Sequence, residues 1–194
     1  MRLAWSEKFR GLFWTQLLGA FNDNFFKQAL LILIVFQGLG GVEMGEDKLS
    51  LYASLVFTIP FFLFSATAGQ LADKYDKSRV IQRLKVVEII IGVLATLGFL
   101  VESVPLLFAA LALLGLQSAS FGPLKYGIIP QLLNDEELVE GNAAVETGTK
   151  LSILAGVLAG GLLAGHHYGR YFCSLGVLLV AVAGYMAAKF IPTV

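Results

Sequence analysis

Hydrophobic residues along this chain fall in long continuous runs separated by short polar segments. The alternation at period two that marks the strands of a membrane barrel is missing, so the runs predict helices. Six are long enough to cross about 30 Å of hydrocarbon, which takes about 20 residues at the helical rise. They are Phe13–Gln37, Leu49–Leu71, Val80–Val101, Val104–Phe121, Asn142–Gly165 and Tyr171–Ile191. The expectation is an all-α membrane protein with one six-span transmembrane domain over residues 1–194, since no Ser/Gly linker or low-complexity tract divides it. Three connections are short, over residues 38–48, 102–103 and 166–170. The stretch from Gly122 to Gly141 is longer. There, Asn134 and Glu137 have capping-box spacing, and Asp135 and Glu136 suit a helix N-terminus. This predicts a short amphipathic helix from Asp135 to Glu140, separate from the fifth span.

Composition sharpens the picture. Of 194 residues, 57% are hydrophobic and 14% charged, against about 25% charge in soluble domains. The formal net charge of zero excludes a basic nucleic-acid-binding surface. The single cysteine, Cys173, lies in an apolar run, which excludes disulfides and thiolate metal clusters. The segment Met1–Arg10 is basic, but the stretch after it is too long and too polar for the core of a cleavable signal peptide. Lys and Arg set the orientation. With the N-terminus inside, Arg2, Lys8, Arg10, Lys74, Lys77, Arg79, Arg83, Lys85, Lys125 and Lys189 collect on the cytoplasmic side. Lys48 and Arg170 fall outside, and Lys27 and Lys150 lie within spans. Both termini are therefore expected in the cytoplasm.

Polar groups inside the spans carry the candidate chemistry. The first span contains Gly19-Ala20-Phe21-Asn22-Asp23-Asn24-Phe25-Phe26-Lys27, with Asp23 and Lys27 spaced for an i, i+4 ion pair. At mid-membrane the two charges cost roughly 6 kcal/mol. The thirteen Leu, Ile, Val and Phe residues from Phe13 to Phe36 return roughly the same. That face must line a bundle interior or a wet cavity. It is either a buried pair that fixes packing or a substrate or coupling-ion site, and the polar groups clustered beside it favour the second. In Phe121-Gly122-Pro123-Leu124-Lys125-Tyr126-Gly127-Ile128-Ile129-Pro130, two prolines and two glycines predict a helix break. Lys125 would then sit on irregular backbone, either snorkelling or receiving an anionic headgroup or substrate. Glu146 and Lys150 repeat the i, i+4 acid–base spacing. Gly156, Gly160, Gly161 and Gly165 form two small-xxx-small pairs that suit close helix packing. Glu88 reads as a packing or gating carboxylate, and His166 and His167 as solvated. No nucleotide-binding G-x-x-x-x-G-K-[ST], no H-E-x-x-H, no G-x-S-x-G and no H-x-x-x-x-D occurs. The sequence suggests no enzyme and no cofactor.

The loop after the second span reads Gly69-Gln70-Leu71-Ala72-Asp73-Lys74-Tyr75-Asp76-Lys77-Ser78-Arg79. In position and pattern it resembles the signature loop of the major facilitator superfamily, G-x-L-a-D-[RK]-x-G-[RK]-[RK], with Gly69, Asp73, Lys74, Lys77 and Arg79 at matching places. Asp76 stands at the second glycine, and aspartate tolerates a left-handed turn better than most residues. Asp73 is expected at a helix N-terminus or beside nearby cations. Within that superfamily the Gly19–Asn24 and Phe121–Ile128 segments, with Leu138–Ala143 and Glu146, resemble the lysophospholipid transporters. Gly156-Val157-Leu158-Ala159-Gly160-Gly161 lacks the proline that drug/proton antiporters usually carry there.

The resemblance implies an N-terminal six-helix half of a twelve-span fold, built as 3+3 inverted repeats. It implies a secondary transporter that moves lysophospholipid, chiefly lysophosphatidylethanolamine, across the bacterial inner membrane by alternating access. Asp23 and Lys125 would serve substrate recognition or gating, with Asn24, Lys27, Tyr126, Glu146 and Lys150 around them. The implied partners are the lipid bilayer, a missing C-terminal six-span half and an acyltransferase that consumes the product. Two alternatives stand beside this reading. One is a half-transporter for a soluble drug or metabolite driven by an ion gradient. The other is a membrane scaffold that docks an acyltransferase.

Overall fold

A computed structural model of the chain describes residues 5–41 and 45–193, with side chains left out at residues 65, 66, 68 and 71–73. Six helices follow in order: α1 (Arg10–Gln37), α2 (Glu46–Lys74), α3 (Lys77–Leu100), α4 (Val104–Leu132), α5 (Asp135–Ala164) and α6 (Gly169–Ala188). A short 3-10 turn, Leu39–Gly41, follows α1. Among the described residues there is no strand. Five helices are long and apolar enough to cross a membrane: α1, α4, α5, α6 and the Glu46–Phe64 part of α2. The exception is α3, which carries Arg83, Lys85 and Glu88. Lys85 and Glu88 pair 2.6 Å apart inside the bundle, so α3 buries two of these three charges, while Arg83 is exposed.

The packing has an internal symmetry. α1 packs on α5 and α6, α4 packs on α2 and α3, and α3 meets α6. Exchanging α1 with α4, α2 with α5 and α3 with α6 maps this pairing onto itself. Short connections make successive helices antiparallel, so α1 and α4 run in opposite directions and the two three-helix units are inverted repeats. The α1–α5 contact depends on glycine: a Cβ at Gly156 would lie 2.5 Å from the Phe21 carbonyl oxygen, and one at Gly160 would lie 2.6 Å from that of Phe25. Gly156 and Gly160 thus form the expected close-packing pair. Gly161 touches little, and Gly165 caps α5.

The N-terminal segment and the C-terminal residues meet at one end of the bundle. The Lys8 ammonium is 2.6 Å from Glu137, Ser78 Oγ donates to the Pro192 carbonyl, and the Arg10 guanidinium lies 5.5 Å from the Phe190 ring centroid. At the other end Arg170 pairs with Glu102, and Gln37 donates to the carbonyls of Ala164 and His166. One apolar cluster gathers Phe26, Leu30, Leu33, Phe99, Leu107 and Leu111. A second, nearer the termini, gathers Phe9, Leu12, Ile81, Leu124, Ile128 and Leu132. Along α1, α3 and α4 the buried polar residues Asn22, Lys85, Glu88 and Gln117 fall between these two clusters.

Two expectations about the α4–α5 region are corrected. α4 does not break at Gly122–Pro130 but runs through Pro123 and Pro130 to Leu132. Each proline removes one backbone hydrogen bond, yet Phe121, Leu124, Lys125, Ile128, Ile129 and Leu132 continue the buried face at helical spacing and hold the chain helical. The short helix predicted at Asp135–Glu140 is instead the first part of α5. Its start is capped as expected, with the Asn134 N–H donating to Glu137 Oε2 at 3.0 Å. Gly141 does not end it, because the glycine lets α5 pass close to Leu133 and Phe9.

Candidate functional site

A cavity of about 360 Å³ lies within the bundle, lined from α1, α2, α3, α4 and α5. Its two principal walls follow from helical periodicity. On α1 the lining positions are Thr15, Gly19 and Asp23 with Gln16, Ala20 and Asn24; on α4 they are Gln117, Phe121 and Lys125 with Ser118, Gly122 and Tyr126. Each set is a pair of adjacent i, i+4 rows. Phe57 and Phe61 of α2 and Ile153 of α5 add apolar wall, and Thr149 and Lys85 add polar groups.

The polar groups form two levels. In the deeper one, Ser118 Oγ lies 2.6 Å from Asp23 Oδ2 and 3.3 Å from Gln117 Oε1. A hydroxyl has one proton, so the shorter bond, to the Asp23 carboxyl, takes it. Among the described residues, Asp23 Oδ1 and Asn22 Oδ1 are buried without a hydrogen-bond partner. Behind Asp23, Glu88 is the hub of a buried network: Oε1 accepts from Asn22 at 3.2 Å, and Oε2 accepts from Lys85 at 2.6 Å and Gln117 at 3.2 Å. Lys85 is 2% exposed and Glu88 1%.

The second level lies nearer the chain termini. Lys125 is seven residues beyond Ser118, and Gln16 seven before Asp23, which places both about 10 Å along the helix axes from the deeper level. Here Tyr126 donates to Glu146 Oε1 at 2.5 Å, and the Lys125 ammonium lies 3.6 Å from the same oxygen. Gln16 donates to Thr149 Oγ1 at 3.0 Å. Lys125 also rests 4.3 Å from the Tyr126 ring centroid, a cation–π distance.

The arrangement sorts the residues singled out from the sequence. Asp23, Asn24, Lys125 and Tyr126 line the cavity, and Glu146 holds two of them from α5. The expected Asp23–Lys27 ion pair does not form. Asp23 turns to Ser118 across the bundle, and the Lys27 ammonium lies 5.6 Å from the Phe57 ring centroid. Glu146 likewise bonds across to α4 rather than to Lys150, which is exposed. Lys85, counted from the sequence among the cations of the cytoplasmic side, is buried beside the cavity. Sequence reasoning passed over Lys85, Gln117 and Ser118 as site residues. The available signal was the i, i+3 spacing of Lys85 and Glu88 within an apolar run.

At the loop between α2 and α3, the α3 N-cap is Asp76, whose Oδ1 accepts from the Arg79 N–H at 2.9 Å. Its φ of −54° is not left-handed, so the residue at the second glycine position serves as a cap, not a turn. Gly69 and Lys74 lie in α2. The Lys77 side chain passes across Gly127 of α4, where a Cβ would lie 2.9 Å from Lys77 Cε. Asp73, expected at a helix N-terminus or beside nearby cations, lies instead in the last turn of α2, and its side chain is outside the described residues.

The Major Facilitator Superfamily model matches residues 12–194. Among similar proteins, the lysophospholipid transporter LplT of Enterobacter sp. (strain 638) is 32% identical over 190 residues, covering 97% of this chain and 44% of that protein. The protein of the same name from Cronobacter sakazakii is 32% identical over 176 residues, covering 91% of the chain and 41% of the relative. That of Escherichia fergusonii is 31% identical over 189 residues, with 97% and 44% covered. The chain therefore spans less than half the length of the curated relatives it matches. No solved structure matches it.

Proposed function

Because the chain belongs to the major facilitator superfamily, we propose that it forms one six-helix half of a transporter that moves lysophospholipid, such as lysophosphatidylethanolamine, across the bacterial inner membrane. The relatives named for that activity support the cargo. The observation that carries the reading is the cavity itself. Asp23 and Lys125 offer an anion and a cation about 10 Å apart along the helices, between walls that carry Phe57, Phe61 and Ile153. The ammonium of a lysophospholipid headgroup suits Asp23 and its single acyl chain suits the apolar wall, while Lys125 stands farther along the path toward the termini.

In this reading the second half packs against the first and closes the cavity, and rocking of the halves exposes the site to each side in turn. The headgroup displaces water from Asp23 and Asn24 at the deeper level, and the Lys125–Tyr126–Glu146 group gates the path toward the termini. In this reading the end rich in Lys and Arg faces the cytoplasm, as the distribution of positive charge favours, and an acyltransferase there would consume the delivered lipid.

The test uses the full-length polypeptide in vesicles. Uptake of labelled lysophosphatidylethanolamine is challenged with unlabelled lysolipids of differing headgroup and with amphipathic drugs. The reading expects lysolipids to compete and drugs not to. Competition by drugs alone would assign the cavity to a soluble cargo.

A further inference from the structure

Hydrogen-bond accounting at the deeper level leaves an imbalance. An ammonium carries three N–H donors. Among the described residues Lys85 spends one, on Glu88 Oε2 at 2.6 Å, and the Phe121 ring centroid lies 5.5 Å from the ammonium. Glu88 is in the opposite condition: it accepts from Asn22, Gln117 and Lys85 together, so two amides continue to hold it if Lys85 turns away. Meanwhile Asp23 spends Oδ2 on Ser118 and, among the described residues, keeps Oδ1 without a partner. The cavity thus presents spare donors on a cation and a spare acceptor on an anion.

The route of the Lys85 side chain is built for this. It leaves α3 and lies between two glycines. A Cβ at Gly19 of α1 would stand 2.7 Å from Lys85 Nζ, and one at Gly184 of α6 would stand 3.5 Å from it. Gly19 itself lines the cavity, as does Lys85.

We propose that Lys85 is an anion-binding residue of the cavity, which takes the phosphodiester of a zwitterionic lysophospholipid headgroup while Asp23 takes the ammonium. This rests on the transport reading above and deepens it. Lysine suits the task because it meets a phosphate as a compact point charge with freely rotating donors. Glu88 stands beside the anion and its charge opposes binding, while the Asn22 and Gln117 amides hold the carboxylate in place when Lys85 turns to the phosphate. Glu88 is the resting partner of Lys85 in this scheme, which the phosphate replaces.

The experiment measures, in vesicles holding the full-length polypeptide, displacement of a fluorescent lysophosphatidylethanolamine by the unlabelled lipid and by a monoacylglycerol of the same chain length. Lys85→Gln with Glu88→Gln removes both charges together, so no buried ion is stranded, and protection of the buried Cys173 thiol verifies the fold. This double variant is expected to bind the phosphate-bearing lipid about 10- to 100-fold more weakly, the loss of hydrogen bonds to a charged group. Its affinity for the monoacylglycerol is expected to be unchanged. Glu88→Gln alone keeps Lys85 and is expected to retain or tighten phosphate recognition. A double variant that discriminates the two lipids as the unaltered protein does would overturn the proposal. So would a loss in Glu88→Gln as large as in the double variant, which would reduce Lys85 to a structural partner. Unaltered protein that binds neither lipid would refute the transport reading itself, a result separable from failure of Lys85 alone.

Discussion

Replacing Glu88 by alanine perturbs the bundle at its most connected polar atom pair. Three donors lose their acceptor at once: the Lys85 ammonium and the Asn22 and Gln117 amides, all 5% exposed or less. Breaking a buried ion pair by removing one partner costs about 3–5 kcal/mol, and each amide left unpaired adds about 1–3 kcal/mol where it finds no new acceptor. The full effect is therefore about 4 kcal/mol or more. Lys85→Met with Glu88→Leu removes the charge from both sides and replaces it with apolar volume, so most of the ion-pair penalty disappears. The two amides still lose their acceptor, and the double change is expected to cost about 2 kcal/mol less than Glu88→Ala alone. The chain supplies its own probe. Cys173 is its single cysteine and is buried, so thiol labelling during a denaturant titration in mixed micelles reports unfolding directly. A Glu88→Ala variant as stable as the unaltered protein, or a double variant less stable than Glu88→Ala, would refute the picture of a closed network centred on Glu88.

Other expectations follow from particular contacts. Gly156→Leu sets a side chain against the Phe21 carbonyl, where a Cβ alone would already be 2.5 Å away. It should cost about 1–3 kcal/mol or more, whereas Gly161→Ala, whose nearest outside atom would be 3.9 Å from the new Cβ, should be neutral or stabilising in the same titration. Asp76→Ala loses the α3 cap on Arg79 N–H and should cost about 1 kcal/mol, with Asp76→Asn recovering most of it. The tie between Lys8 and Glu137 is pH-dependent. The bond from Lys8, then that from the Asn134 N–H, holds the Glu137 carboxyl below the usual carboxylate range. Its contribution is therefore complete above about pH 4.3, the ordinary value for glutamate, and is lost as pH falls through the lower folded value. Hydrogen exchange over residues 5–9 should accelerate on acidification, and Glu137→Gln should abolish that dependence.

How much of this was legible in the sequence depends on whether the deciding contact was local. The helical spans stand out because each is a continuous apolar run, and the α5 cap because Asn134 and Glu137 lie three residues apart. The continuity of α4 was not legible. Proline and glycine argue locally for a break at Gly122–Pro130, while the opposing influence is burial of Leu124, Ile128 and Ile129 against other helices. Spacing along one helix suggested Asp23–Lys27 and Glu146–Lys150, but Ser118 and Tyr126, the partners that form, come from α4. Lys85 was grouped with Arg79 and Arg83 by linear proximity. Its burial follows from Gly19 and Gly184, whose relevance appears only once α1, α3 and α6 are packed together. Asp76 looked like a departure at a turn because its capping bond depends on where α3 begins.

The central claim is that the cavity containing Asp23 carries a lysophospholipid headgroup, and inter-leaflet movement of the lipid tests it most directly. Labelled lysophosphatidylethanolamine is placed in one leaflet of vesicles holding the full-length polypeptide, and its appearance in the other is followed over time. The account predicts movement well above protein-free vesicles and its loss in Asp23→Asn, a variant that retains the bond from Ser118 but not the charge. Movement at the same rate with Asp23→Asn would contradict it.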